Sequence, residues 1–265
     1  FSVTFLVTFL VSFSVTTSSL IEASLCKPMD KQITPKSELF AHLLANVLYL
    51  LYLCSVITPY IYIMTPTLPT IALVYDFDGT LAPGNMQEFG LLQDIGYENP
   101  NEFWNLCDQI AKTNDAGGIS VVMYALQTEA QRHGIRCTRE MLRRYGQSVQ
   151  FFPGVTEWFD TINEYAAQIG VHVKHYINSS GIKEMIEGCA IAKEFEQIYA
   201  CSYLYDSNGD ACWPSVVVDY TKKTQFLFKI NKGIREVSDR VRVNEFVPTD
   251  ERPVPFERMI YFGDG

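Results

Sequence analysis

Ile71-Ala-Leu-Val-Tyr75 runs straight into Asp76-Phe77-Asp78-Gly79-Thr80, and the reading of this stretch decides the fold. A short apolar, β-branched run of this kind is a buried strand. In extended chain, residues i and i+2 face the same side, so the carboxylates of Asp76 and Asp78 converge. Two like charges that close stay ionised only if a cation joins them; otherwise one keeps its proton. A metal-neutralised carboxylate is a nucleophile, and a protonated one beside it is an acid for a leaving group. Gly79 lets the backbone turn away, and Thr80 can cap the next element. An isolated Asp-Gly usually marks a turn. Four fixed residue types directly after a strand argue for a site instead.

The string resembles the first signature, D-x-D-x-[TV], of the haloacid dehalogenase-like (HAD) hydrolase superfamily. Three later stretches resemble that family's other signatures, in its order. The alternating run Val171-His-Val-Lys-His-Tyr-Ile177 leads into Asn178-Ser179-Ser180-Gly181 and a helical stretch over 182–187. A hydroxyl and free N–H groups at a helix start suit a phosphate oxygen. Ser179 is the first choice, with Ser180 second, because Ser-x-Gly-apolar is similar to the phosphoserine phosphatase branch. Gly181 and Thr80 complete the phosphate-binding candidates. Lys222 and Lys223 follow Val216-Val-Val218 and open a helix running to Ile230. Adjacent helical residues point about 100° apart, so one of them reaches a common site; Lys223 is favoured. Met259-Ile-Tyr-Phe262 leads into Gly263-Asp264-Gly265, which resembles the family's G-D-x-x-x-D. A second acid of that signature would fall beyond Gly265, and the chain is expected to be a fragment.

The resemblance implies that Asp76 attacks phosphorus to form an aspartyl-phosphate. Asp78 then protonates the leaving alkoxide and later deprotonates the hydrolytic water. Ser179 and Lys223 would hold phosphoryl oxygens. Mg²⁺ would sit on Asp76, Asp264 and the carbonyl of Asp78, a few hard oxygen donors of the kind this ion takes. An Asp at the second position points to phosphate esters and away from dehalogenation. The expected fold is α/β: a doubly wound parallel sheet with an inserted helical cap domain. Its core would be 64–83 and 151–265, and its cap 84–150, with strands near 71–75, 171–177, 197–201 and 259–262. A β-hairpin over 199–218, turning at Asn208-Gly209, is expected ahead of the lysine motif. The expected activity is Mg²⁺-dependent hydrolysis of a small phosphorylated metabolite. The alternatives are a phosphomutase of the same superfamily or a truncated non-catalytic binding protein.

Net charge is −9. The first seventy residues carry three basic and three acidic residues, so the whole excess belongs to the remainder. That surface argues against nucleic-acid binding. Arg132, Arg136, Arg139, Arg143 and Arg144 form a local basic cluster, read as a solvated helix face rather than a substrate contact. Seven cysteines without a C-x-x-C pair suit reduced thiols and a cytoplasmic enzyme. His172 and His175 are read as structural, since no Cys or third His joins them.

Residues 1–63 stand apart from the pattern. A Phe/Ser/Thr/Val-rich start is followed by a polar stretch and then 43–64, which lacks a formal charge and is long enough to span a bilayer. Lys27, Lys31 and Lys36 are balanced by Glu22, Asp30 and Glu38, so the flanks set no topology. The segment is read as sequence upstream of a gene start at Met64, then as a membrane anchor, and last as an export signal. Any membrane association would run through 43–64 alone.

Overall fold

The computed structural model describes residues 68–264, in which β1, Thr70–Tyr75, stands inside a five-stranded sheet. The segment 43–64 lies outside the described residues. Among those described, no helix is long and apolar enough to cross a membrane. The other strands are β2, His172–Ile182; β3, Phe195–Tyr205; β4, Ala211–Val216; and β5, Met259–Phe262. Their order is β4-β3-β2-β1-β5, with β1 parallel to both β2 and β5, β2 parallel to β3, and β4 antiparallel to β3. Ile71 to Tyr75 are at most 2% exposed, the two-sided burial that a continuous apolar run requires. The chain passes from β1 to β2 on one side, and β5 returns on the other. The crevice between the C-terminal ends of β1 and β5 is therefore the switch point where open α/β sheets place their ligands.

Within 84–150 the chain forms α1, Leu91–Asp94; α2, Pro100–Asn114; α3, Gly118–Arg132; and α4, Arg139–Gly146. The starts of α2 and α4 are written in the sequence. The Asn99 side chain accepts from the Asn101 N–H ahead of Pro100, and Thr138 Oγ1 accepts from the Met141 N–H at 3.2 Å. Helix α5, Val155–Gln168, returns the chain to the sheet; α6, Lys183–Gly188, follows β2, and α7, Tyr220–Asn231, follows β4.

One expectation changes, and two gain detail. The strand expected to stop at Ile177 continues to Ile182, with a register shift against β3 between Asn178 and Ile182. Ser179 to Gly181 thus belong to an irregular strand end and not to a helix start. The expected hairpin is present as β3 and β4, and its first arm continues into the sheet because β3 is one strand. Its first part pairs with β2, and its second part turns through Asp206–Gly209 into β4. All five arginines are exposed, as a solvated face requires, and four of them also hold acidic partners. Arg136 holds Asp210 at 2.9 Å and the Asn208 carbonyl at 2.7 Å, and Arg143 holds Glu187 at 2.7 Å. Arg132 pairs with Glu129, and Arg139 lies 3.6 Å from the buried Glu184.

The hairpin and the helices of 84–150 are joined by more than charge. The Ala211 N–H donates to the Cys137 carbonyl at 2.7 Å, Gln127 Nε2 to the Ala211 carbonyl at 2.7 Å, and the Tyr203 hydroxyl to the Met123 carbonyl at 2.8 Å. On the other side, α4 and α6 meet backbone to backbone. A Cβ on Gly146 would lie 2.0 Å from the Met185 carbonyl oxygen, and one on Gly188 2.0 Å from that of Arg143.

Beneath the sheet, Trp158 Nε1–H donates to the Tyr75 hydroxyl oxygen at 2.8 Å, and that hydroxyl meets His175 Nδ1 at 2.9 Å. His175 Nε2 faces Asn163 Oδ1 at 3.0 Å. The chain of donors is consistent only if Tyr75 donates to Nδ1 and the neutral imidazole carries its proton on Nε2. Burial lowers the His175 pKa to about 4. The folded value lies below the unfolded one of about 6.5, so acid pulls toward the unfolded chain. This stability is complete above pH 6.5 and is lost as pH falls toward 4. Between pH 7 and pH 5 the loss from this group is expected to be about 2 kcal/mol. Urea unfolding of the wild type and His175→Gln at the two pH values checks it, and an equal pH dependence in both proteins would refute the assignment. The structural reading of the histidine pair is thus what the geometry shows for His175; His172 is exposed.

Candidate active site

The backbone N–H of Asp76 donates to the Phe262 carbonyl at 2.8 Å, extending the β1–β5 pairing by one step and bringing Asp76 beside Gly263-Asp264. Phe77 is fully buried, which turns its neighbours Asp76 and Asp78 away from the core. The Phe77 carbonyl then accepts from the N–H groups of Thr80, Leu81 and Ala82, closing a tight loop in which Gly79 has φ 74°. Glycine is required at 79 twice over. The left-handed backbone favours it, and a Cβ would lie 2.2 Å from Asp264 Oδ2. The carboxylate of Asp264 therefore rests directly over the loop of the first motif.

Lys223 comes to the same place from α7. Asp219 caps that helix, accepting from the Lys222 N–H at 2.9 Å and from the Thr221 hydroxyl at 2.7 Å. Lys223 Nζ forms an ion pair with Asp76 Oδ2, whereas Lys222 is exposed. Of the two lysines, 223 is the one that reaches the first motif. Asp76 Oδ1 accepts from the Phe77 N–H at 2.8 Å, so both oxygens of this carboxylate are engaged.

Asp78 is held differently. Its Oδ1 accepts from the Met86 N–H at 2.9 Å, and its Oδ2 would lie 3.1 Å from a Cβ on Gly181. Burial raises the Asp78 pKa to about 7, the Met86 N–H opposes the rise, and the negative charges of Asp76, Glu88 and Asp264 add to it. The two carboxyl groups that the sequence pairs are thus unlike: Asp76 is ion-paired, and burial raises the pKa of Asp78 toward neutrality. Gly181 matters because a side chain there would fill the gap between Asp78 and Met86, whose Cε would be 2.1 Å away.

Ser179 is fully buried and its Oγ accepts from the Gly181 N–H at 3.0 Å; Ser180 is half-buried. Thr80 does not cap a helix. The next helical turn starts at Met86, and the Thr80 hydroxyl has no hydrogen-bond partner among the described residues. Sequence reasoning missed Glu88, whose Oε1 accepts from Asn85 Nδ2 and Trp104 Nε1, each at 2.8 Å. Its charge acts on Asp78, yet no motif marks it.

Among the described residues, no three His, Cys, Asp or Glu side chains form a ready metal cluster. The expected set needs only two carboxylates, Asp76 and Asp264, with the carbonyl of Asp78. These are hard oxygen donors, and the Asp264 carboxylate already lies over the glycine of the loop, so the residues fit Mg²⁺. A separate cleft, lined by Thr70, Lys174, Tyr199, Lys229 and Arg235 among others, opens at the other end of the strands and contains none of these groups.

No family model matches the chain. An uncharacterized protein of Borreliella burgdorferi is 30% identical over 221 residues, covering 74% of each chain, and the two are members of one family. Four ordered motifs converge at the switch point of a sheet ordered β4-β3-β2-β1-β5. Their order and placement resemble those of the haloacid dehalogenase-like superfamily. Solved structures of phosphoserine phosphatase-like proteins are similar to parts of the chain. A phosphoserine phosphohydrolase-like protein of Francisella tularensis has a TM-score of 0.39 at 17% identity, over 55% of this chain and 64% of that one. A probable phosphoserine phosphatase of Vibrio cholerae has 0.45 at 10%, over 73% of this chain and 50% of that one. A substrate-bound phosphoserine phosphatase has 0.41 at 14%, over 62% and 71%. The chain thus spans about half of the Vibrio protein's length and just under two-thirds of the Francisella protein's.

Proposed function

We propose that this chain is a HAD-type hydrolase that cleaves a small phosphomonoester through Asp76. The observation that carries the reading is the division of labour between two carboxyl groups two residues apart. Asp76 is ion-paired with Lys223, whereas Asp78 is held in a buried setting that raises its pKa, with one oxygen fixed by the Met86 N–H.

In this reading Asp76 Oδ attacks phosphorus, the P–O bond to the alcohol breaks, and the Asp78 proton goes to the departing oxygen. Asp78, now ionised, takes a proton from water as that water attacks the aspartyl-phosphate, releasing phosphate and restoring both groups. Lys223 and the hydroxyl of Ser179 hold phosphoryl oxygens, with Ser180, Gly181 and Thr80 as further phosphate contacts. Mg²⁺ on Asp76, Asp264 and the Asp78 carbonyl would supply charge neutralisation at the phosphoryl group. Helices α1 to α4 act as the cap that keeps water out and selects the alcohol part.

The test is phosphate release from a panel of phosphorylated metabolites, with and without Mg²⁺. Release that requires the metal is expected. A folded protein that releases no phosphate from any of them overturns the reading, and product isomerised without net release would reassign it to a phosphomutase.

A further inference from the structure

Asn178 immediately precedes Ser179, is fully buried, and has no part in the chemistry described above. Its side chain Nδ2 donates to the main-chain carbonyl of Lys223 at 2.8 Å. Its own carbonyl accepts from the Tyr261 hydroxyl at 3.3 Å, and Tyr261 lies on β5, two residues before Gly263. The Tyr261 ring also packs under Gly263, where a Cβ would lie 2.9 Å from Cε1. One residue therefore connects the strand of the second motif to the helix of the third and the strand of the fourth.

That amide is expensive where it sits. Among the described residues Asn178 Oδ1 has no hydrogen-bond partner, so its desolvation is uncompensated. An apolar side chain of similar size would suit an interior strand better. What only the amide supplies is the donor to Lys223. Lys223 is also tied by its N–H to the Asp219 carbonyl at 3.2 Å in the first turn of α7, and by the ion pair at the far end of a flexible stem.

We propose that Asn178 is a positioning residue that fixes the main chain of Lys223 so that its ammonium stands on Asp76. Only the kinetic consequence rests on the phosphatase reading; the placement of the lysine does not.

The experiment is acylation of lysines in the full chain with an amine-reactive reagent, read peptide by peptide by mass spectrometry. Lys193, whose side chain is 83% exposed, and the fully buried Lys229 serve as internal controls. In Asn178→Leu, Lys223 is expected to react roughly fivefold faster, the population ratio that one hydrogen bond of ordinary net strength maintains. Lys193 and Lys229 should keep their wild-type rates. An unchanged Lys223 rate in the folded variant overturns the proposal, as does an equal rise at Lys229, which would mean general loosening. If Asn178→Leu does not fold, Tyr261→Phe removes only the second tie. A smaller rise at Lys223 supports the proposal there, and none refutes it.

Kinetics add a second arm. Asn178→Leu should lower kcat in the wild-type background and have no further effect in Lys223→Met, because it acts through that lysine. Equal effects in both backgrounds overturn the proposal. A wild-type protein that releases no phosphate defeats the phosphatase reading and leaves the labelling result to stand alone.

Discussion

Asp76→Asn is expected to lower Mg²⁺-dependent phosphate release by about 10⁴-fold or more while the protein stays folded. The amide keeps the shape of the carboxylate and can still accept from the Phe77 N–H. It cannot attack phosphorus, and it gives Lys223 a neutral partner in place of a charged one. Losing only the ion pair would leave the reaction chemically intact, so a small effect is incompatible with a nucleophile at 76. Circular dichroism and the urea midpoint separate chemistry from collapse. A folded variant that retains a tenth of the wild-type rate would remove Asp76 from the mechanism.

The largest effects on stability are expected at Gly146 and Gly188. Each would place a Cβ 2.0 Å from a carbonyl oxygen of the facing segment, and main chain cannot step aside as a side-chain tip can. Gly146→Ala and Gly188→Ala should each cost about 3 kcal/mol, the upper part of the overpacking range. Once α4 and α6 have been pushed apart, the second Cβ meets less resistance. The double variant should then lose clearly less than the sum of the two. Urea denaturation measures all three proteins, and a loss below about 1 kcal/mol for either single change would show that the helices part freely.

The parts of the site that are legible in the sequence are those encoded locally. Ile71 to Tyr75 reads as a doubly buried strand because every position is apolar, and β5 has the expected bounds. That only one of Lys222 and Lys223 can reach a common site is set by the angle between neighbours on a helix. What is not legible depends on partners far along the chain. The arginines are the solvated residues they read as, but nothing local reveals that Arg143 meets Glu187, 44 residues away, or that Arg136 meets Asp210, 74 away. The end of β2 escapes the reading because Asn-Ser-Ser-Gly is turn-like in isolation. In the fold, Gly181 is confined by Met86 and Asp78, and the Ile182 N–H reaches Met86 Sδ at 3.2 Å. Glu88 is invisible for a related reason: a carboxylate in a polar turn gains its role only when Trp104 and Asn85 fix it near Asp78.

The bonds from β3 and β4 to the helices of 84–150 bear on how such a protein can be recombined. The helices of 84–150 lie in one stretch between the first two motifs and invite exchange as a cassette. Here the fastenings of the cassette, Ala211, Tyr203, Asn208 and Asp210, are encoded between the second and third motifs. A chimera that takes 84–150 alone would leave its anchor points behind. The heritable unit is the helical segment together with the hairpin, two stretches of sequence that must change in step.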